Sequence, residues 1–558
     1  MNTRKYTIGV DFGTESGRVL LVDVANGQEI ATSVYPYPHG VISETLPDTD
    51  IRLERDWALH DPNDYLEVLK HAIPEVLKES GVDPDNIIGL GLDATSCSML
   101  PTTADGTPLS SLPEWRNQPH AWLKLWKHHA AQPEASKLYQ IAQEQGYTFL
   151  DLYGGKVNSE WFVPKAWQIL NEAPEIYNAA GRLIEVGDWL VWQLTGEERR
   201  SESLAGYKVF RSKRDGFPPD AFFKALDPRM EHFIDEKMTR SFYSIGAKAG
   251  GLTEEAARWS GLKPGTTVAV ANIDAHVSVP AATVFETGTM TIIMGTSSCH
   301  MVLTEEEHSV PGIQGCVEDG IIPGLFGYEA GQSCVGDSLA WFVKRCVPAS
   351  LTQEAEARDI SVYQLLEEKA TLLQPGESGL LALDWWNGNR SVLVDANLSS
   401  MLLGVTLATR PEEIYRAFIE ATAFGTRKII DTFEAHGVPS KEIMAIGGLA
   451  DRSPLFVRIY ADVTGRQLHI AKTSQGGALG SAMHAAVAAG SYATIGEASK
   501  HMSGLRDITY TPIPQNQHIY DQLYAEYVQL HDYFGRGGND VMKRLKHLRE
   551  KEQEISVS

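Results

Sequence analysis

The sequence predicts an α/β chain built as two related domains, each a mixed sheet flanked by helices, with a cleft between them. Two segments carry the duplication: residues 8–23 hold Asp11, Gly13, Thr14 and Ser16, and residues 290–303 hold Gly295, Thr296, Ser297 and Ser298. Each reads as an apolar β-rich run, a tight Gly-Thr turn with a serine close behind, and a second run, which is a hairpin signature. Glycine lets the turn reach positive φ and approach a ligand closely. The amides and hydroxyls that follow can then converge on phosphate oxygens. One such hairpin is common; two, one opening each half, suggest related halves gripping one nucleotide. The second observation is the alternation of β and α signals, which implies α/β layering. The third is length, since 558 residues leave room for several cores.

Taken in order, residues 6–24 and 29–36 read as successive antiparallel strands around an Asn26-Gly27 turn. Residues 62–80 form an amphipathic helix, and 87–92 a buried strand ending at Asp93-Ala94-Thr95-Ser96. Residues 114–150, with Trp115, Trp122 and Trp126, read as helical, as do 164–170 and 174–194. Residues 266–273 form a strand running into Asp274-Ala275-His276, the expected hinge region. The second half has strands at 290–303 and 324–329, then a helix over 331–345 and a long one over 411–436. A strand at 443–446, the Gly447-Gly448 turn, a helix at 453–464, a strand at 467–470 and a small-residue helix at 476–489 follow. Domain boundaries are expected at 1–283 and 284–540, leaving 541–558 as a charged tail, solvated or fraying.

Composition excludes several classes. A net charge of −23 argues against nucleic-acid and anionic-membrane partners, which need a basic face. No stretch approaches the roughly 20 apolar residues of a membrane span, and the N-terminus lacks a signal-peptide pattern. The five cysteines (97, 299, 316, 334 and 346) lack any Cys-x-x-Cys spacing, so neither a disulfide framework nor a zinc site is expected. A cytoplasmic protein is the expectation. There is no P-loop, His-Arg-Asp loop or Gly-x-Ser-x-Gly elbow.

The chemistry concentrates at strand ends. Asp11 precedes the first Gly-Thr turn, where a carboxylate suits phosphates only with Mg²⁺ between them; the bland alternative is a turn cap. Asp274 ends an apolar strand, where α/β sheets expose functional groups. It could remove the proton from a hydroxyl attacking a phosphoryl group, or merely cap the helix that follows. His276, two residues on, suits a structural role better than a metal. Lys208 and Glu329 could bind hydroxyls, with an exposed lysine the alternative for the first.

These motifs resemble the FGGY family of carbohydrate kinases, within the actin, Hsp70 and sugar-kinase superfamily, over almost the whole chain from Tyr6 to about Ala489. The resemblance implies two actin-like (ribonuclease H-like) domains with the active site in the cleft. It assigns Asp11 to Mg²⁺, Gly13, Thr14 and Ser16 to the first phosphate turn, and Gly295 and Thr296 to the second. Asp274 becomes the catalytic base, and Gly447 and Gly448 the adenosine site. Thr95 and Ser96 stand where glycerol kinases carry a bulkier run, suggesting a roomier sugar pocket with Lys208, Asp274 and Glu329. The segment Asp384-Trp385-Trp386-Asn387-Gly388-Asn389-Arg390 points the same way. The implied activity is ATP-dependent phosphorylation of a ketopentose, L-ribulose, in arabinose catabolism; a homodimer is left open. Other pentuloses or polyols, or a non-catalytic nucleotide switch, are the alternatives. The family's first signature fits Ser159 to Trp167 only loosely.

Overall fold

In the computed structural model, which describes residues 4–557, two seven-stranded sheets repeat one plan. In the first, Tyr6–Phe12 and Ser16–Asp23 form an antiparallel hairpin that Glu29–Pro36 extends. Ile87–Ala94 lies parallel on the other side of Tyr6–Phe12, and Thr267–Ala269 lies parallel beyond it. In the second, Thr289–Met294 and Ser298–Thr304 form the hairpin, Phe326–Gln332 extends it, and Glu442–Ile446 and Gln467–Ala471 follow in parallel. The central strands are buried almost throughout, as expected of strands covered by helices on both faces. Both turns close alike: the Gly13 N–H donates to the Ser16 carbonyl and the Gly295 N–H to the Ser297 carbonyl, each at 3.0 Å.

Helix Pro62–Ser80 lies where the periodicity places it. Asp61 accepts the Asn63 N–H at 2.9 Å, Pro62 sits in the first turn, and Gly81 ends the helix in a left-handed conformation (φ 63°). An inserted lobe between Ile87–Ala94 and Lys248–Gly251 has its own core of Trp122, Trp161, Trp167, Phe222 and Phe233.

Helix Gly476–Ala488 comes late in the chain yet packs on the first sheet. The approach is backbone to backbone. A Cβ on Gly9 would lie 1.8 Å from the Ala478 carbonyl oxygen, and one on Gly91 would lie 2.1 Å from that of Ser481. Only glycine on those strands permits the contact.

Three sequence expectations fail. Residues 114–150 are mostly turns, with one helix at Gln132–Glu144: Pro119 interrupts the pattern, Pro133 sits in the first turn of that helix, and Trp122 and Trp126 pack from loops. The span 174–194 divides into helix Pro174–Ala179, strand Arg182–Glu185 and helix Val186–Thr195. The helix expected from 331 begins at Gly336, since the strand before it runs on to Gln332. The tail is also better anchored than expected. In helix Val541–Val557, Met542 is buried, Lys543 pairs with Asp395 at 2.7 Å, and Lys546 donates to the Ala396 carbonyl at 3.1 Å.

Candidate active site

Between the halves lies a cavity of about 280 Å³ whose lining includes Asp11, Arg18, Asp274, Thr296, Gly447 and Gly476. Gly295, Ser297, Cys299 and Gly477 complete much of the wall. Gly447 takes φ 109°, a conformation that L side chains rarely adopt, and a Cβ there would lie 2.7 Å from the Met294 carbonyl oxygen. The second turn is braced from behind. The Thr296 carbonyl accepts the Val335 and Asp337 N–H groups at 2.8 and 3.2 Å. Ser298 Oγ donates to Gln332 Oε1 at 3.0 Å, and Gln332 Nε2 donates to Asp384 Oδ2 at 2.8 Å. A Cβ at Gly425 would strike that Gln332–Asp384 pair.

Two carboxyl groups, Asp11 and Asp274, line the cavity, and a third, Asp93, is buried beside Asp11. Asp11 and Asp93 are register partners on parallel strands, and Ser481 Oγ donates to Asp93 Oδ2 at 2.6 Å. Burial, then the charge of Asp11, raises Asp93 far above the usual carboxylate range. Burial also raises Asp11, against the Asp93 hydrogen bond and the charge of Arg18. Asp274 opens helix Asp274–Ala281, and its Oδ1 accepts the Ala275 N–H at 2.7 Å. Burial, then repulsion from Asp11, pushes it up to about 7.

The sugar end predicted from sequence is a buried charge cluster. Lys208 Nζ lies 3.0 Å from Glu329 Oε2, and His276 Nε2 lies 3.3 Å from the same oxygen. Burial opposes ionisation of Glu329, but the charge of Lys208, followed by His276 and Arg390, holds it well below its usual range. Lys208 is buried, not the exposed lysine of the alternative reading, and its pair with Glu329 outweighs desolvation to raise it. His276 packs on Tyr207 with ring centroids 4.3 Å apart. Thr95 is buried and its hydroxyl pairs with that of Ser98 at 2.8 Å; Ser96 is half-buried beside it.

The structure brings Asp11, Asp274, Gly295, Thr296 and Gly447 to one cavity; Gly13, Thr14, Ser16 and Gly448 are not among its lining residues. Thr14 is held from the inserted lobe, its hydroxyl accepting the Trp126 Nε1–H at 3.1 Å. Arg427 pairs with Asp521 at 2.6 Å. Sequence reasoning missed Arg18, Asp93, Glu160 and Arg390. Asp93 alone offered a signal: a carboxylate at a strand end, the feature that exposed Asp274.

Two sheets of one plan around a cavity with a Gly-Thr turn, an arginine and a carboxyl group poised near neutrality define a phosphoryl-transfer enzyme of actin-like fold. Residues 6–279 match the FGGY family of carbohydrate kinases, N-terminal domain, and residues 290–489 match its C-terminal domain. The chain belongs to the FGGY family of carbohydrate kinases. It is 55% identical over 551 residues to a ribulokinase of Geobacillus thermodenitrificans, covering 98% of each chain. A ribulokinase of Halalkalibacterium halodurans is matched equally, at 55% over 551 residues and 98% of each chain. Among solved structures, a ligand-bound xylulose kinase from Lactobacillus acidophilus superposes with a TM-score of 0.79 at 17% identity, over 96% of this chain and 99% of that one. At that identity the likeness is one of fold. Among the described residues, no helix is long and apolar enough to cross a membrane.

Proposed function

We propose that the chain transfers the γ-phosphoryl group of ATP to the terminal hydroxyl of a 2-ketopentose, L-ribulose, giving L-ribulose 5-phosphate. The observation that carries the reading is the position of Asp274: at the cavity that the Gly295-Thr296 turn lines, and near enough to Glu329 of the buried Lys208–Glu329 pair to feel its charge. The ribulokinases matched over 98% of this chain support the choice of sugar. The five free cysteines fit a reducing, cytoplasmic setting.

Asp274 serves as the base. Its Oδ1 is held by the Ala275 amide, and its Oδ2 accepts no hydrogen bond from any described residue, so that oxygen is open to the attacking hydroxyl. The ionised Glu329, neutralised by Lys208, accepts sugar hydroxyl protons, while Thr95 and Ser96 leave room for the five-carbon chain. The Gly295-Thr296 turn holds the phosphates with backbone amides and a hydroxyl, Arg18 adds a cation, and Gly447 opens the adenine end, while the Gly13-Thr14-Ser16 turn and Gly448 keep their phosphate and adenosine roles on the family resemblance alone. Asp11 fits Mg²⁺, a hard cation that prefers carboxylate oxygen and keeps several waters. When bound, the ion neutralises phosphate charge.

ADP release measured with each of the four 2-ketopentoses tests the proposal: turnover is expected to be fastest with ribulose. Sugar-independent turnover, or a clear preference for xylulose, overturns it. Asp11→Asn is expected to shift the Mg²⁺ dependence of the rate to higher concentration, with partial recovery in excess metal. Superimposable Mg²⁺ titrations of variant and parent remove Asp11 from that role.

A further inference from the structure

The geometry points to Arg390 as a positioning residue that clamps the sugar end across the seam between the inserted lobe and the second half. One of its terminal nitrogens lies 3.6 Å from Glu160 Oε2, in the lobe, and 3.9 Å from Glu329 Oε1, on strand Phe326–Gln332. Glu329 is thereby flanked on both oxygens, by Arg390 at Oε1 and by Lys208 and His276 at Oε2. This inference rests on the ketopentose reading of the preceding section.

The loop carrying Arg390 is built to hold it. Gly388 takes φ 71° where a Cβ would lie 2.6 Å from Ala396 Cα. Asn389 exchanges backbone hydrogen bonds with Asp395 at 2.8 and 3.0 Å, and its side-chain oxygen accepts the Leu393 N–H at 2.9 Å. Ser333 Oγ donates to the Asn387 carbonyl at 2.9 Å, and Gln314 Nε2 to that of Arg390 at 2.9 Å. Gly331, next but one to Glu329, runs beside the arginine stem, where a Cβ would make only an ordinary contact of 3.6 Å with Arg390 Cδ.

Both carboxylate separations exceed hydrogen-bond length, and Arg390 Nε, although buried, has no partner among the described residues. The guanidinium therefore keeps unused donors in a buried site, a state that favours further contact. As the halves tighten on the sugar, the fork shortens toward Glu160 and Glu329 and fixes the carboxylate that receives the sugar hydroxyls. Glu160 is buried and steered by its own neighbours, His129 at 3.7 Å and Asn158 at 3.4 Å.

Steady-state kinetics of Arg390→Met, Arg390→Lys, Glu160→Gln and the Glu160→Gln/Arg390→Met double variant test the inference, with unfolding midpoints on the same samples. Arg390→Met is expected to raise the sugar KM about tenfold or more. Its ATP KM should stay within about twofold of the parent. Arg390→Lys should recover part of the loss, since it keeps the charge without the fork. Glu160→Gln should raise the sugar KM less, and add little in the Arg390→Met background. An unchanged sugar KM in Arg390→Met, or equal losses for ATP and sugar, overturns the inference. If Arg390→Met does not fold, unchanged sugar KM values in both Arg390→Lys and Glu160→Gln overturn it. A parent enzyme inactive on every pentulose would instead refute the ketopentose reading itself.

Discussion

Replacing Asp274 with alanine is expected to lower kcat by at least about 10²-fold, the lower end for general-base catalysis. Substrate affinities should change far less, because the proton moves only on the way to the transition state. The raised Asp274 carboxyl adds a pH signature. A base must be ionised to act, so kcat/KM for the sugar should rise with pH through about 7 in the parent. Stability should run the other way. The folded value is raised from 3.8 to about 7, so the native state holds the proton more tightly than the unfolded chain. That stabilisation is complete below the unfolded value and is lost as pH rises through the folded one. Asp274→Asn keeps the oxygen that accepts the Ala275 amide but carries no charge to desolvate. Without nucleotide or metal, its unfolding midpoint should exceed the parent's at pH 8, and the difference should shrink toward pH 4. A variant that retains kcat within about tenfold ends the assignment of Asp274 as base.

Lys208→Met is expected to cost both stability and sugar binding. Removing one partner of a buried ion pair leaves a charge in low dielectric, typically at about 3–5 kcal/mol. His276 and Arg390 remain beside Glu329, so the lower end is expected here. The informative comparison is Lys208→Met/Glu329→Gln, which has no stranded carboxylate. Urea unfolding should show most of the lost stability restored, while the sugar KM stays at least about fivefold above the parent's for want of hydrogen-bond partners. A single variant as stable as the parent would show that the pair contributes nothing to folding. Recovery of sugar affinity together with stability would remove the pair from the sugar site.

The two hairpins were legible because each pairs apolar runs with a Gly-Thr turn, a local signal that needs no knowledge of the rest of the chain. Helix Pro62–Ser80 was legible for the same reason, with Asp61 and Pro62 at its start and Gly81 at its end. Family resemblance supplied most of the site, and the cavity gathers Asp11, Asp274, Thr296 and Gly447 from four separate segments. The inserted lobe was misread because its tryptophans fall at helical spacing while Pro119 interrupts the pattern. Arg390 was quoted only as part of a motif, and Glu160 only within a loose signature. Their meeting depends on how the lobe seats against the second half, which no short-range pattern encodes. Asp93 was read for the small residues that follow it; its chemistry comes from standing in register with Asp11, a fact of strand pairing.

The seating of helix Gly476–Ala488 on Gly9 and Gly91 has a consequence for how the chain is made. A ribosome releases the first sheet hundreds of residues before the helix that covers it, so the sheet emerges with an apolar face bare. Domains usually fold in order as they are synthesised, but here the first one waits for a segment near the far end. Long-range closure of this kind is slow. A polypeptide cut after residue 283 would hold every strand of the first sheet and still lack its lid, and should stay aggregation-prone until a fragment bearing residues 476–488 is supplied.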